Sequence, residues 1–381
     1  MHKFIVLAKT SEKAQTKSGK IRSFAALAVL AAAGAQATTP NVVVIAEGLD
    51  NPRGLAFAPS GQLYVAEAGS GGSGACRPSP DGQPVEVCYG ETGALTRIDP
   101  TGKKPPRRVL RNLPSMAQAG GFAAQSGPVD VQFSGSNAFI VMGWGGHPDL
   151  RAGIGPKSRL FGTLLLATPN DLIFPVTDIA DNERRHNPAG ETVDSNPYGV
   201  LVLSGKRIVA DAGANALVVS GSMDLLQPFR DRTFAVLAPT AFGTQPVPTT
   251  VAKGPGGDVF VGLLTGAPFF RGSSTIYRVP RSGGEATPYL TGLTAVVDIT
   301  FDKNGTLYIV EIASGLVPGP GADPGVGNGR LLRKPKNGAV EVVLDGLVFP
   351  AGVTVGADGA VYLSNFGIFP GGGQVLRVTL D

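Results

Sequence analysis

One phrase recurs six times along the chain. The copies begin at Asn51 (NPRGLAFAPSGQLYVAEAG), Gly127 (GPVDVQFSGSNAFIVMGWG), Asn196 (NPYGVLVLSGKRIVADAG), Val247 (VPTTVAKGPGGDVFVGLLTG), Ala295 (AVVDITFDKNGTLYIVEIASG) and Phe349 (FPAGVTVGADGAVYLSNFG). Each reads as an apolar strand, a Gly-centred turn and a second apolar strand. Self-similarity at a period of tens of residues marks a repeat architecture. Strand pairs with no helical periodicity between them predict an all-β protein, a six-bladed β-propeller.

The rest of each blade follows the phrase. A third, amphipathic strand is expected at Ala94–Asp99, Phe161–Ala167, Ala216–Ser220, Ser274–Pro280, Arg330–Lys334 and Gln374–Thr379. A fourth is expected at Arg108–Leu113, Thr233–Leu237, Thr287–Leu290 and Val340–Leu344, with a degenerate one near Ile179. The last copy runs out after three strands, whereas an orphan strand, Val42–Ala46, precedes the first. The economical solution makes blades of four strands and closes the ring by letting the N-terminal strand complete the last blade, which leaves no long open edge. The 54 Gly and 31 Pro supply the many turns this requires.

Residues 1–37 have the pattern of an export signal: a basic segment from Lys3 to Arg22, an apolar run at Phe24–Ala33 and an A-x-A site at Ala35–Ala37. One propeller domain, residues 38–381, is expected to follow, in the periplasm or outside the cell. The net charge of the whole chain is +4, and six basic residues against one acidic sit in the leader. The remaining chain is therefore close to neutral, about −1 by this counting, which removes the electrostatic case for nucleic-acid binding. The apolar run is too short to span a bilayer, and no transmembrane segment is expected after cleavage. A monomer is expected. Cys76 and Cys88 share one loop; an even count behind an export signal favours a disulfide that staples it.

A propeller places the first strand of each blade at the central channel, and the long insertions here, Ala68–Thr92, Gly143–Ser158 and Ile312–Asn328, gather on one rim, the top face. Binding is expected there. At one channel-facing position the copies carry Gly54, Asp130, Gly199, Thr250, Asp298 and Gly352, so two Asp face each other from blades two and five. At the end of the second strand they carry Glu67, Met142, Asp211, Leu263, Glu311 and Asn365. Asp130, Asp298, Glu67, Asp211, Glu311 and Asn365 are thus candidate ligands for a hard cation such as Ca²⁺, against the alternative that each Asp caps a strand or bonds a neighbouring loop. Beyond this the residues name no cofactor and no catalytic set. Arg53 and Tyr198 at the channel mouth and Trp144 in a rim loop are, with Asp298, candidates to grip an anionic or planar ligand.

NPRGLAFAPSGQLYVAEAGSGGSGACRPSPDGQPVEVCYGETGALTRID, DSNPYGVLVLSGKRIVADAGANAL and VPTTVAKGPGGDVFVGLLTGAPF together resemble the ScyD/ScyE family, named for proteins of the scytonemin biosynthesis cluster, from about Val43 to Thr379. At a broader level the chain is similar to NHL-repeat and TolB-like six-bladed propellers. The resemblance implies export and a propeller, with no settled activity. Relatives of the same shape include calcium-dependent lactonases and quinone-dependent sugar dehydrogenases, but the chain has no clear match to the quinoprotein His base or to the full lactonase ligand set. Two functions compete: an exported scaffold that binds a small molecule or protein partner at the top face, linked to secondary-metabolite biosynthesis, and a metal-dependent, lactonase-like hydrolase with its site at the channel mouth. A purely structural role at the cell surface is a third.

Overall fold

Six β-sheets carry the chain in the computed structural model, which describes residues 39–79, 85–118, 124–221, 231–313 and 328–380. Five sheets have four strands and one has six; in the four-stranded sheets of blades two to five the strands lie in chain order outward from the centre. The protein is a six-bladed β-propeller, as the repeats predict. Blade three shows the pattern: Pro197–Leu203 innermost, then Lys206–Asp211, Ala216–Ser220 and Asp231–Val236. The ring closes as expected. Asn41–Leu49 pairs antiparallel with Gly373–Thr379 and becomes the outer strand of blade six. Residues 1–38, where the leader reading falls, and most of the Ile312–Asn328 loop lie outside the described residues.

Each inner strand begins the same way. Ala68, Gly143, Ala212, Leu264, Ile312 and Gly367 donate their N–H groups to the carbonyls of Asn51, Gly127, Asn196, Val247, Ala295 and Phe349. A register shift follows at once, between Pro52 and Leu55, Pro128 and Asp130, Pro197 and Gly199, Pro248 and Thr250, and Val296 and Asp298. Such a bulge frees backbone N–H groups from the ladder. Six clusters of buried aliphatic side chains fill the six spaces between neighbouring blades. They come from alternate residues of the inner strands, so the period of two in the repeat phrase supplies the core directly.

Two local expectations give way. Blade one's third and fourth strands run on to Glu86–Ile98 and Arg107–Gln118, far beyond Ala94–Asp99 and Arg108–Leu113. The extension pairs Val87 with Gln118 and carries Cys76 opposite Cys88, where the expected disulfide forms. Near Ile179 an outer strand was expected; it lies just upstream at Ile173–Asp178, and Ile179–His186 is a short helix. The Asp178 carboxylate caps that helix by accepting from the Asp181 N–H at 2.9 Å. Eight residues are too few for a helical period to show in the sequence.

Candidate functional site

The six inner strands approach so closely that backbone nearly fills the channel at the level of the two aspartates. A Cβ added at Gly54 would stand 2.1 Å from Asp130 Oδ1, and one at Gly352 would stand 2.8 Å from the Cα of Gly54. Small residues at four of the six positions are a packing requirement, and the two Asp occupy the remaining space. Asp130 Oδ1 accepts from the Val131 N–H and Oδ2 from the Val200 N–H, both at 2.8 Å. Asp298 repeats this across the channel: Oδ1 accepts from the Ile299 N–H at 2.8 Å and from Thr250 Oγ1 at 2.6 Å, and Oδ2 from the Val353 N–H at 2.7 Å. Apart from the Thr250 hydroxyl, the donors are backbone N–H groups at the starts of the inner strands. Asp130 thus ties blades two and three and seats against blade one; Asp298 ties blades four, five and six.

All four carboxylate oxygens are therefore occupied by donors. Burial pushes the Asp130 carboxyl well above the usual carboxylate range, and the facing Asp298 charge adds to it. Burial raises Asp298 to about 6, against the pull of its three donors. Below the pair the channel holds a cavity of about 130 Å³, also lined by Gln132, Lys253, Thr300 and Thr354. At ~30 Å³ per water this has room for a few waters, and it falls short of the ~300–1,000 Å³ of an organic-ligand pocket.

The other candidate cation ligands do not join the pair. Glu67, Asp211, Glu311 and Asn365 are buried at the second-strand ends, where each holds the loop that leads into its blade. Glu67 accepts from the Asp50 N–H at 2.7 Å and pairs with Arg108 at 2.6 Å. Asp211 accepts from Ser195 Oγ at 2.7 Å and the Asn196 N–H at 2.6 Å. Glu311 accepts from the Thr294 N–H at 2.8 Å and pairs with Arg330. Asn365 accepts from the Val348 N–H at 2.9 Å. Burial raises Asp211 to about 6. Beside it, burial followed by the Asp211 charge raises Glu183 to about 7; sequence reading did not single out this helix residue. Among the described residues no group of three or more His, Cys, Asp or Glu is placed to hold a metal.

One residue ahead of the six channel positions the copies carry Arg53, Val129, Tyr198, Thr249, Val297 and Ala351. All are buried except Tyr198, which is half-buried. The Tyr198 ring packs against the cluster that contains Val297 and Val353, on the far side of the ring from its own blade. Arg53 is 9% exposed, and its guanidinium donates one hydrogen bond among the described residues, from Nη2 to the Ala124 carbonyl at 3.1 Å. Its Nε is buried with no partner. Trp144, in contrast, is fully buried between Phe161 and blade one's long hairpin, and its indole N–H donates to the His147 carbonyl at 3.1 Å. It is a packing residue in this structure and presents no ring to a ligand.

No family model matches the chain, and no curated protein matches it. Among solved structures, the chain is similar to a streptogramin B lyase at 12% identity and TM-score 0.48, covering 91% of this chain and 99% of the other. It is also similar to a virginiamycin B lyase from Staphylococcus aureus in complex with quinupristin, at 13% identity and TM-score 0.44, covering 90% and 99%. A luciferin-regenerating enzyme follows at 10% identity and TM-score 0.47, covering 89% and 95%. At these identities the likeness is one of chain path and carries no activity to this chain.

Proposed function

We propose that the protein is an exported, ScyD/ScyE-type binding scaffold whose top face takes a partner, small molecule or protein, through an anionic group seated on Arg53 beside Tyr198. The observation that carries this reading is the Arg53 guanidinium: nine-tenths buried at the channel mouth, with a single hydrogen bond and no carboxylate partner among the described residues. A buried charge without a counter-ion is costly, and an incoming carboxylate or phosphate offsets that cost. The leader pattern and the Cys76–Cys88 disulfide support export. The competing hydrolase reading draws less support, because the carboxylates it would use to hold a cation are engaged with backbone N–H groups and arginines.

The test is Arg53→Met in ligand-free buffer, with the chain starting at Thr38. A ligand-binding guanidinium is a cost to the empty protein. The variant should therefore match or exceed the wild type in stability, by up to about 1–2 kcal/mol, and should lose the stabilisation that carboxylates give at this site. A loss of several kcal/mol would instead make Arg53 a structural part. Turnover of lactones or esters by the wild type would favour the hydrolase.

A further inference from the structure

Two adjoining grooves open on the face opposite the loops, one between blades one and two and the other on blade one itself. One of about 500 Å³ is floored by Tyr64, Leu95, Phe133 and Ala138, with Tyr64 and Phe133 ring centroids 4.9 Å apart. A second, of about 580 Å³, adjoins it and reaches Lys104; both are lined by Arg97 and Arg107. These two arginines are direct cross-strand partners, and Tyr64 is the partner of Arg97 on its other side, so all three side chains share one face. Like charges directly opposite each other on a sheet repel. Neither arginine makes a hydrogen bond or ion pair with a described residue. Asp171 stands on the far wall, on a turn of blade two, and pairs with neither; Asp99, at the second groove, is bonded to Thr101.

The repeat shows what is missing. In blades four, five and six the equivalent aromatic–arginine neighbours are Phe260–Arg278, Tyr308–Arg333 and Tyr362–Arg377. Each of those arginines has an acid: Asp258, Glu341 at 3.0 Å and Asp358 at 2.8 Å. In blade one the three positions that supply these acids hold Gln62, Arg107 and Ser60. The anion is absent from all three, and one is replaced by a second cation. We propose that the groove is a binding site for a small aromatic carboxylate, whose charged head is held by the Arg97 and Arg107 guanidiniums and whose ring lies on Tyr64, Phe133 and Leu95. Two guanidinium forks suit a carboxylate, and the volume suits an organic ligand.

The probe is naphthalene-2-carboxylate, titrated at low salt against the chain from Thr38, with the neutral naphthalene-2-carboxamide as its control. Saturable binding is expected, about tenfold or more weaker for the carboxamide and for Arg97→Ala. Arg107→Glu should abolish it, because the variant restores the pairing that Arg333 and Glu341 make in blade five; its melting curve verifies that it is folded. Arg53→Met should keep the saturable binding of the groove, which separates this site from the channel mouth. Equal affinity for the two probes, full binding by Arg107→Glu, or loss of binding in Arg53→Met alone would overturn the proposal.

Discussion

A chain that begins at Glu47, without the segment Asn41–Ala46, is expected not to fold. That segment supplies most of the ladder to Gly373–Thr379 and buries Ile45 and Ala46 in the cluster between blades six and one. Burial of Ile45 contributes about 1.5–3 kcal/mol, and each lost backbone hydrogen bond costs roughly 1 kcal/mol. Together these approach the ~5–15 kcal/mol that holds a typical domain folded. The third strand of blade six would also become a bare edge, open to pairing with other chains. The chain from Thr38 should be soluble with a cooperative melt, and the chain from Glu47 should be aggregated or unfolded by circular dichroism. Equal melting temperatures would show that the N-terminal strand does not close the ring.

The second large effect is expected at Asp298. Asp298→Ala removes the acceptor of the Ile299 and Val353 N–H groups and of the Thr250 hydroxyl, and so loosens three blades at the axis. Orphaned buried donors cost about 1–3 kcal/mol each. Relief of the buried charge returns part of this, for a net loss of about 2–4 kcal/mol. The pH dependence has a definite sign. Asp298 and Asp211 are raised to about 6 and Glu183 to about 7, and Asp130 and Glu311 also shift upward. Carboxyls raised in the folded state bind protons more tightly there than in the unfolded chain. Their contribution is complete below the unfolded value of about 4 and is lost as pH rises through about 6–7. Asp358, Asp258 and Asp181 shift downward, and what they add is lost only as pH falls below about 4. The melting temperature should therefore be higher at pH 5 than at pH 8, and Asp298→Asn should reduce the difference. A melting temperature that rises from pH 5 to pH 8 would contradict this.

The ring was legible because the repeat phrase encodes it twice, once in the alternation that fills the inter-blade clusters and once in the turn that starts each inner strand. Asp130 and Asp298 were legible for the same reason: six aligned copies expose two departures from Gly or Thr. What was not legible depends on contacts between distant segments. Blade one's long third strand passes through Gly90 and Gly93, which read as a loop. Gly90 is required because a Cβ there would stand 1.9 Å from the Gly71 carbonyl oxygen. The hairpin this builds is what buries Trp144, so an aromatic in a rim loop became core. Glu67, Asp211 and Glu311 sit at repeat-equivalent positions, but their side chains turn to the incoming loops, and strand spacing alone did not fix that parity. The arginine pair of the groove needed the Arg97–Arg107 register, which the sequence does not state.

Whether the two channel aspartates are a structural hub or a cation site is decided most directly by thermal melts of the chain from Thr38, first with excess EDTA and then with added Ca²⁺. Backbone N–H groups occupy the carboxylate oxygens, so the account predicts the same melting temperature in both. A ligand that binds only the folded state at a hundred times its Kd adds about 2.7 kcal/mol. A rise of that order with Ca²⁺, lost in Asp298→Ala, would contradict the account and make the channel a metal site.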